Sequence, residues 1–532
     1  MAISLAQPCD EAVVLSKRAA TPCTRSSGRW ILAATILGSS MAFIDGTVVN
    51  VALAGLQANL GATVLEMQWV IEAYSLLLAA FLLLGGSLGD HYGRRRVFLF
   101  GVVLFAWASL WCGLAPSITQ LIAARAIQGL GGALLVPGSL AIIGASFREE
   151  DRGRAIGTWS AFTAIAAAIG PVVGGWLIEQ ISWRAVFFIN LPLAVIVVII
   201  SLTRVSESQD ETQGKKLDWL GALLTATGLG LLTYALIESS RLGFAHPTVI
   251  ATFLGGLFAL IVFIRFEARI SHPMMPLALF RSRNFTGANV LTFLLYGALS
   301  GALFFFPLNL IQVQGYSAAG AGAALLPFTL ILFFLSRWSG GIAQRYGAKL
   351  PLVAGPMIAA AGFLLFALPG VGGDYWRTFG PAVVALGLGM AVSVAPLTAT
   401  VMSAVAGNRL GVASGINNAI SRVASLLAIA AFGIVMLHVF NRSLDRRLSS
   451  LELPSMLQQS LKVERVKLAG AKVPAEISPP MRDAVRQAIN HSFIDGFRCV
   501  MFIGAVLAMA SGVSSLLLID GKRRPDKQSI RA

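Results

Sequence analysis

Apolar residues in this chain come in long blocks broken by short polar interruptions. Residues 30–54, 67–88, 97–115, 117–146, 155–180 and 184–203 each form such a block. A polar stretch, RVSESQDETQGKKLD, follows, and then blocks at about 218–238 and 248–265. A second interruption, FEARISHPMMPLALFRSRNF, leads to six more, which begin near 286, 320, 350, 377, 410 and 496. A helix needs about 20 apolar residues to cross a bilayer, and only helices or closed barrels satisfy their own backbone there. The pattern therefore predicts an all-α polytopic membrane protein of about 14 transmembrane helices. It divides into an N-terminal tail (1–29), a six-helix bundle (30–203), a region with two extra helices (204–285), a second six-helix bundle (286–519) and a basic tail (520–532). Within the second bundle, 441–495 holds no apolar run of spanning length and reads as a long outer loop. Its segment PPMRDAVRQAINHSF reads as a short amphipathic helix lying on the outer face.

Composition agrees. The chain is 56% hydrophobic and 12% charged, against roughly 25% charged in soluble domains. Its 54 glycines suit helices that approach one another closely in lipid. A net charge of +16 in a soluble chain would suggest nucleic acid, but here the distribution points to topology. Lys17, Arg18, Arg25 and Arg29 lie before the first block, and Arg94–Arg96 follow the second. Arg148, Arg152 and Arg154, then Arg204, Lys215 and Lys216, follow the fourth and sixth; Arg265, Arg269, Arg281 and Arg283 follow the eighth. Arg345, Lys349, Arg409 and the C-terminal Lys522–Arg531 cluster continue the alternation. The short intervening loops hold only Arg184, Arg241 and Arg377. The positive-inside rule then places both termini in the cytoplasm. The N-terminus lacks the basic–apolar–cleavage order of a signal peptide and reads as a cytosolic tail.

The chemistry of enzymes is not visible. The four cysteines and five histidines form neither a metal-ligand pattern nor a disulfide framework. No nucleophile–base constellation or phosphate-binding P-loop occurs, so neither catalysis nor ATP-driven pumping is indicated, and no cofactor is expected. One internal repeat stands out: GSLGDHYGRR (86–95) matches GGIAQRYGAK (340–349). Gly86 pairs with Gly340, Asp90 with Gln344, Tyr92 with Tyr346, Gly93 with Gly347, and Arg95 with Lys349. Each follows the second block of a six-block set, as in transporters built from two parallel repeats.

Polar residues inside the apolar blocks are candidates for function, because a charge at bilayer depth persists only by pairing, facing a cavity or binding a proton. Asp45 lies eight residues before Leu53, and Arg125 eight after Ser117. At about 1.5 Å per residue both sit roughly 12 Å below the outer surface, so a pair is permitted. It would serve transport, or only fix helix packing. Glu72, with Trp69 and Tyr74, would attract a lipophilic cation through charge and cation–π contact; alternatively it snorkels to water beside an aromatic belt. Asn50, Gln128, Asn417, Asn418 and Arg422 are further cavity candidates, and Arg422 needs an interior partner or water. No acid lies deep in the blocks that begin near 320, 377 or 410, which argues against divalent cation substrates.

The first repeat loop resembles the G-x-x-x-D-(R/K)-x-G-R-R motif of the major facilitator superfamily. FIDGTVVNVAL (43–53) resembles the first-span signature of its fourteen-helix drug:proton antiporter branch, typified by QacA and EmrB. QWVIEAYSLLLAA (68–80), RAIQGLGGALL (125–135), GPVVGGWL (170–177) and WRAVFFINLPL (183–193) follow in the expected order. The resemblance implies two six-helix bundles with two inserted helices, alternating access, and the proton gradient as energy source. It assigns Asp45 and Arg125 to proton coupling and Gly170, Pro171, Gly174 and Gly175 to an antiporter motif. It assigns Gly86, Asp90, Gly93, Arg94 and Arg95, with Gly340, Arg345, Gly347 and Lys349, to gating. His91 stands where the family carries a basic residue.

The expected function is proton-coupled efflux of lipophilic drugs, cationic ones among them, across a bacterial cytoplasmic (inner) membrane. Rival readings are a dedicated exporter or importer of one metabolite, and a non-transporting sensor or scaffold. Expected partners are the small substrate, protons and the lipid bilayer, not nucleic acid. The working unit is expected to be a monomer, and recruitment of a periplasmic adaptor stays open.

Overall fold

Every apolar block becomes a helix, since a helix keeps its backbone bonds within one segment. The computed structural model describes residues 25–147, 149–209, 218–270, 273–405, 410–451, 453–473 and 478–520. Among these residues no strand occurs, and 14 helices are long and apolar enough to cross a membrane. They are α1 (Gly28–Leu60), α2 (Val64–Tyr92), α3 (Arg94–Leu114), α4 (Ile118–Ser146), α5 (Arg154–Gln180), α6 (Ala185–Arg204), α7 (Trp219–Leu242) and α8 (Pro247–Glu267). The second set is α9 (Arg283–Val313), α10 (Ala318–Leu335), α11 (Lys349–Phe366), α12 (Gly380–Ser403), α13 (Val412–Leu448) and α14 (Pro479–Leu518). The tail before residue 25, the tail from residue 521, and Lys215, Lys216 and Arg409 lie outside the described residues.

Helix packing repeats between the halves. In the first, α1 packs on α5 and α6, α2 on α4, and α3 on α4 and α6. In the second, α9 packs on α13 and α14, α10 on α12, and α11 on α12 and α14. The halves meet along two seams, α2 with α13 and α5 with α10, which a two-fold axis would exchange. The repeat loops share a backbone signature. Gly93 has φ +105° and Gly347 has φ +87°, a region that only glycine enters without cost. Helix α7 lies along the α2–α13 seam, and α8 packs on α7. Ile250, Leu254, Phe258 and Ile261 of α8 face outward, as lipid-facing side chains would.

The bundle has a Gly61 end and a Gly93 end, the latter carrying Arg94–Arg96. Hydrogen bonds between the halves are confined to the Gly61 side among the described residues. Gln312 donates to Gln57 at 2.7 Å, and Gln57 donates to the Lys467 carbonyl at 3.1 Å. Gln68 donates to the Ile429 carbonyl at 2.7 Å, and the Ala319 amide donates to Glu179 at 2.9 Å. The structure is therefore fastened at its Gly61 end.

Two boundaries need correction. Helix α1 runs to Leu60, past residue 54, which puts Asp45 near the helix midpoint rather than in its outer third. The 441–495 stretch is largely helical rather than a loop. Helix α13 continues to Leu448, a short helix spans Ser455–Glu464, and α14 begins at Pro479. PPMRDAVRQAINHSF is thus the first part of α14, not a separate helix on the surface. Its apolar stripe, Val485, Ile489 and Phe493, is buried in the protein. Arg486 fixes this extension by donating to the carbonyls of Ala469, Ala471 and Gln312. Between the helices a tight turn, Arg465–Gly470, presses onto the α1–α9 junction, with Leu468 buried and held at φ +53°.

Candidate functional site

Asp45 and Arg125 meet. The guanidinium Nη1 donates to Asp45 Oδ2 at 2.5 Å, and the side chains are 0% and 1% exposed. One turn along α4, Gln128 completes the group. Its amide nitrogen donates to Asp45 Oδ1 at 2.9 Å, and its oxygen accepts from Arg125 at 2.7 Å. Spacing i, i+3 puts Arg125 and Gln128 on one face of α4. Arg125 Nε donates to the Val70 carbonyl at 3.1 Å, and the Tyr74 ring lies 4.3 Å from the guanidinium carbon. Glycine lets the helices close around this cluster: a Cβ on Gly131 would lie 2.6 Å from the Phe105 backbone nitrogen.

A second layer holds Gln128. Its amide also donates to Ser109 at 3.3 Å, and Asn190 donates to the same hydroxyl at 3.0 Å. Ser109 in turn donates to the Phe187 carbonyl, and the Cys112 thiol lies 3.6 Å from Gln128 Oε1. Sequence reasoning did not find Ser109, Cys112 or Asn190 as members of this network, although Asn190 lies inside WRAVFFINLPL. Both ions are thus buried, paired and hydrogen-bonded, the condition under which a charge persists away from water.

The other candidates fall into separate places. Tyr74 turns toward Arg125; it lies two residues, and so roughly half a turn around α2, from Glu72. Trp69 packs on Tyr234 of α7 at 6.3 Å. The trio therefore does not form one aromatic cation site. Glu72 does not snorkel: it is 0% exposed, and neither oxygen has a hydrogen-bond partner. Asn50 donates to the Gly46 carbonyl within its own helix. In the second half, Asn417 donates to Asn289 at 3.0 Å and to Thr292 at 2.7 Å. Asn418 is exposed and bonds back to Ser414. Arg422 is half-buried, has no carboxylate partner among the described residues, and lies where its charge acts on Tyr74.

At the Gly93 end, Asp90 pairs with Arg94 at 2.8 Å. Arg95 donates to the Val205 carbonyl at 3.0 Å. Glu207, missed in the sequence because it sits in a polar linker, accepts from the backbone amides of Arg95 and Arg96. A carboxylate there complements the positive helix N-terminus. His91 stacks edge-on against Tyr92, at 4.7 Å between ring centroids. Gly86 faces Pro137 of α4. The side chains of Gly340 and Arg345 lie outside the described residues, while Lys349 opens α11.

The GPVVGG motif is a double seam. Gly170 and Gly174 face Thr47 and Val48 of α1, where an added Cβ would collide. Gly175 faces the other half, where a Cβ would lie 2.5 Å from the Ala318 carbonyl oxygen. Gly322 returns the contact by packing on the Pro171 carbonyl. Beside this seam lies a cavity of about 350 Å³ lined by residues that include Val51, Gln57, Gln312, Lys467 and Lys472.

Known proteins are similar in sequence and in fold. A sequence profile described as Major Facilitator Superfamily matches residues 35–429. Multidrug resistance protein Stp of Mycobacterium tuberculosis is 34% identical over 490 residues, covering 90% of each chain. The tetracenomycin C resistance and export protein of Streptomyces glaucescens is 31% identical over 519 residues, covering 96% of this chain and 95% of its own. Among solved structures, a bacterial homologue of the human lysosomal transporter Spinster, inward-facing and unoccupied, superposes with a TM-score of 0.67 at 16% identity, covering 94% of this chain and 100% of its own. Motifs, duplicated packing and relatives agree: the chain belongs to the Major Facilitator Superfamily and is a multi-pass membrane transporter, not an enzyme.

Proposed function

We propose that this protein exports lipophilic drugs in exchange for protons by alternating access. Relatives named for drug resistance and export supply the direction and the substrate class. The observation that carries the proton half of the reading is the Asp45–Arg125 ion pair, buried on α1 and α4 and braced by Gln128. An acid at that depth with one cationic partner exchanges its proton when the partner moves or the cavity opens. The protein sits in the bacterial cytoplasmic membrane with both termini and the Gly93 end inside, a reading supported by the alternation of basic loops, and the bonds confined to the Gly61 end then support a state closed to the outside. The working unit is a monomer, and no periplasmic adaptor is needed to complete the Asp45 site.

Reconstituted vesicles test this. Native protein is expected to expel a lipophilic dye uphill in a proton gradient and to release protons when dye binds. Asp45→Asn is expected to insert normally and to lose both. Uphill efflux undiminished in the variant would remove Asp45 from the mechanism. A narrower reading also has support, because one relative is named for a single compound, tetracenomycin C. Competition between chemically unrelated compounds for dye export separates the two: a multidrug protein is inhibited by several, a dedicated exporter by one.

A further inference from the structure

Glu72 stands apart from the Asp45 network. Two residues separate it from Tyr74, so it projects from the opposite side of α2, away from Arg125. It is fully buried, and both of its oxygens lack a partner. Its walls can be read from neighbouring contacts. Trp69 meets Tyr234, and Leu76 meets Gly230, which fixes α7 antiparallel to α2. Thr233 falls between those contacts at the level of Glu72; it too is fully buried, with an unpartnered hydroxyl. On α13, the Gln68–Ile429 bond and the contact of Leu83 with Gly415 bracket the same level.

Charges on these three helices are engaged elsewhere. On α2, Glu66 caps the helix start through Thr63, Asp90 holds Arg94, and His91 lies at the Gly93 end. On α7, Glu238 pairs with Arg241, and the Tyr234 ring packs on Trp69. On α13, Arg422 acts on Tyr74, on the other side of α2, His438 lies beyond Ile429 toward the Gly61 end, and Arg442, Asp445, Arg446 and Arg447 lie beyond it. The Glu72 carboxyl is therefore shielded from solvent and has no cation partner among the described residues, and a carboxylate in that position is the costliest of the forms open to it.

We propose that Glu72 is a second proton-binding site, walled off by the inserted helix α7, and that it carries its proton in this conformation. The proton comes from water when the α2–α7–α13 junction is open and returns to water when it opens again; no other bond changes. Its part in transport rests on the antiport reading, but its protonation does not. When the two openings face opposite sides of the membrane, one cycle moves this proton in addition to the one handled at Asp45. The inserted pair acquires a purpose, because α7 supplies one wall of the site.

Infrared absorption of the purified full-length protein in lipid nanodiscs at neutral pH tests occupancy. A protonated-carboxyl band is expected in the native protein, retained in Asp45→Asn and reduced in Glu72→Gln, where the buried Glu267 carboxyl can still contribute. Native protein without a band that Glu72→Gln reduces would overturn the proposal. Glu72→Leu is the second variant: a neutral acid in a dry niche is replaceable by a hydrophobe, so it is expected to insert and melt like the native protein. A large loss of thermal stability in Glu72→Leu, without a band that Glu72→Gln reduces, would assign Glu72 a charged structural role instead. Proton counting in vesicles tests the transport role, with Glu72→Gln expected to move one proton fewer per dye molecule. An unchanged count would refute that role. Failure of the antiport reading itself appears separately, as coupled efflux that survives Asp45→Asn.

Discussion

The two halves share one helix-packing scheme and differ in what they bury. The first encloses an ion pair, Asp45 and Arg125, with Gln128, Ser109 and Asn190 layered behind it. The second, at α9 and α13, encloses neutral groups: Asn417 bonds Asn289 and Thr292, and Ser300 meets Ser425 at 2.6 Å. Among the described residues, Arg422 of α13 brings a charge that acts on Tyr74 of the first half. Duplication thus preserved the scaffold and not the chemistry. Backbone geometry at Gly93 and Gly347 survives in both copies because a positive φ admits few replacements, whereas buried side chains were free to diverge. A charged half paired with a neutral one suits a division of labour, with protons handled on one side and substrate contacted on the other.

Three substitutions put that contrast to the test. The largest effect after Asp45→Asn is expected from Arg125→Ala, which strands a buried carboxylate and should cost about 3–5 kcal/mol of stability. Thermal melts in detergent check it, and the double variant Asp45→Asn/Arg125→Gln should recover most of the loss. No recovery would mean that Arg125 serves mainly through packing on Tyr74. Next in size, Gly175→Leu forces a side chain against the Ala318 carbonyl and should cost about 1–3 kcal/mol by overpacking. Since the collision lies across the α5–α10 seam, it should also shift the protein away from the state closed at the Gly61 end. Cysteine cross-linking between α5 and α10 would report that shift, and unaltered cross-linking would show the seam to be passive. The smallest effect belongs to Asn417→Ala. Loss of its hydrogen bonds should change dye affinity by about threefold to tenfold, the equivalent of about 0.5–1.5 kcal/mol. Dye-induced proton release per bound molecule should stay as it was; a fall would place proton handling in both halves.

Much of this architecture is legible in the sequence. Blocks of apolar residues of spanning length have one solution in lipid, so the helices and their order follow from hydropathy. Depth counting permits the Asp45–Arg125 pair, although α1 runs past the end it is counted from, and Gln128 stands only among the cavity candidates. Legibility fails where helices leave the membrane. Residues 479–495 are amphipathic because one face packs on protein and the other meets water, so nothing in their pattern marks continuity with α14. It also fails for small polar groups. Ser109 and Asn190 carry no periodic signal, and they meet across 81 positions of sequence. Glu72 misleads for another reason: its distance from the helix end suggests the interface, while the inserted α7, whose placement no pattern discloses, covers it completely.

The turn at Arg465–Gly470 has a practical consequence. It receives a bond from Gln57, packs its Gly470 against that side chain, and seats Leu468 in a left-handed conformation that costs on the order of 1–3 kcal/mol. Any motion that parts the halves at the Gly61 end would break this contact, and the strain kept in Leu468 would lower the work of breaking it. A compound seated in the lysine-lined hollow beside Gln312 would touch both halves and hold that end shut.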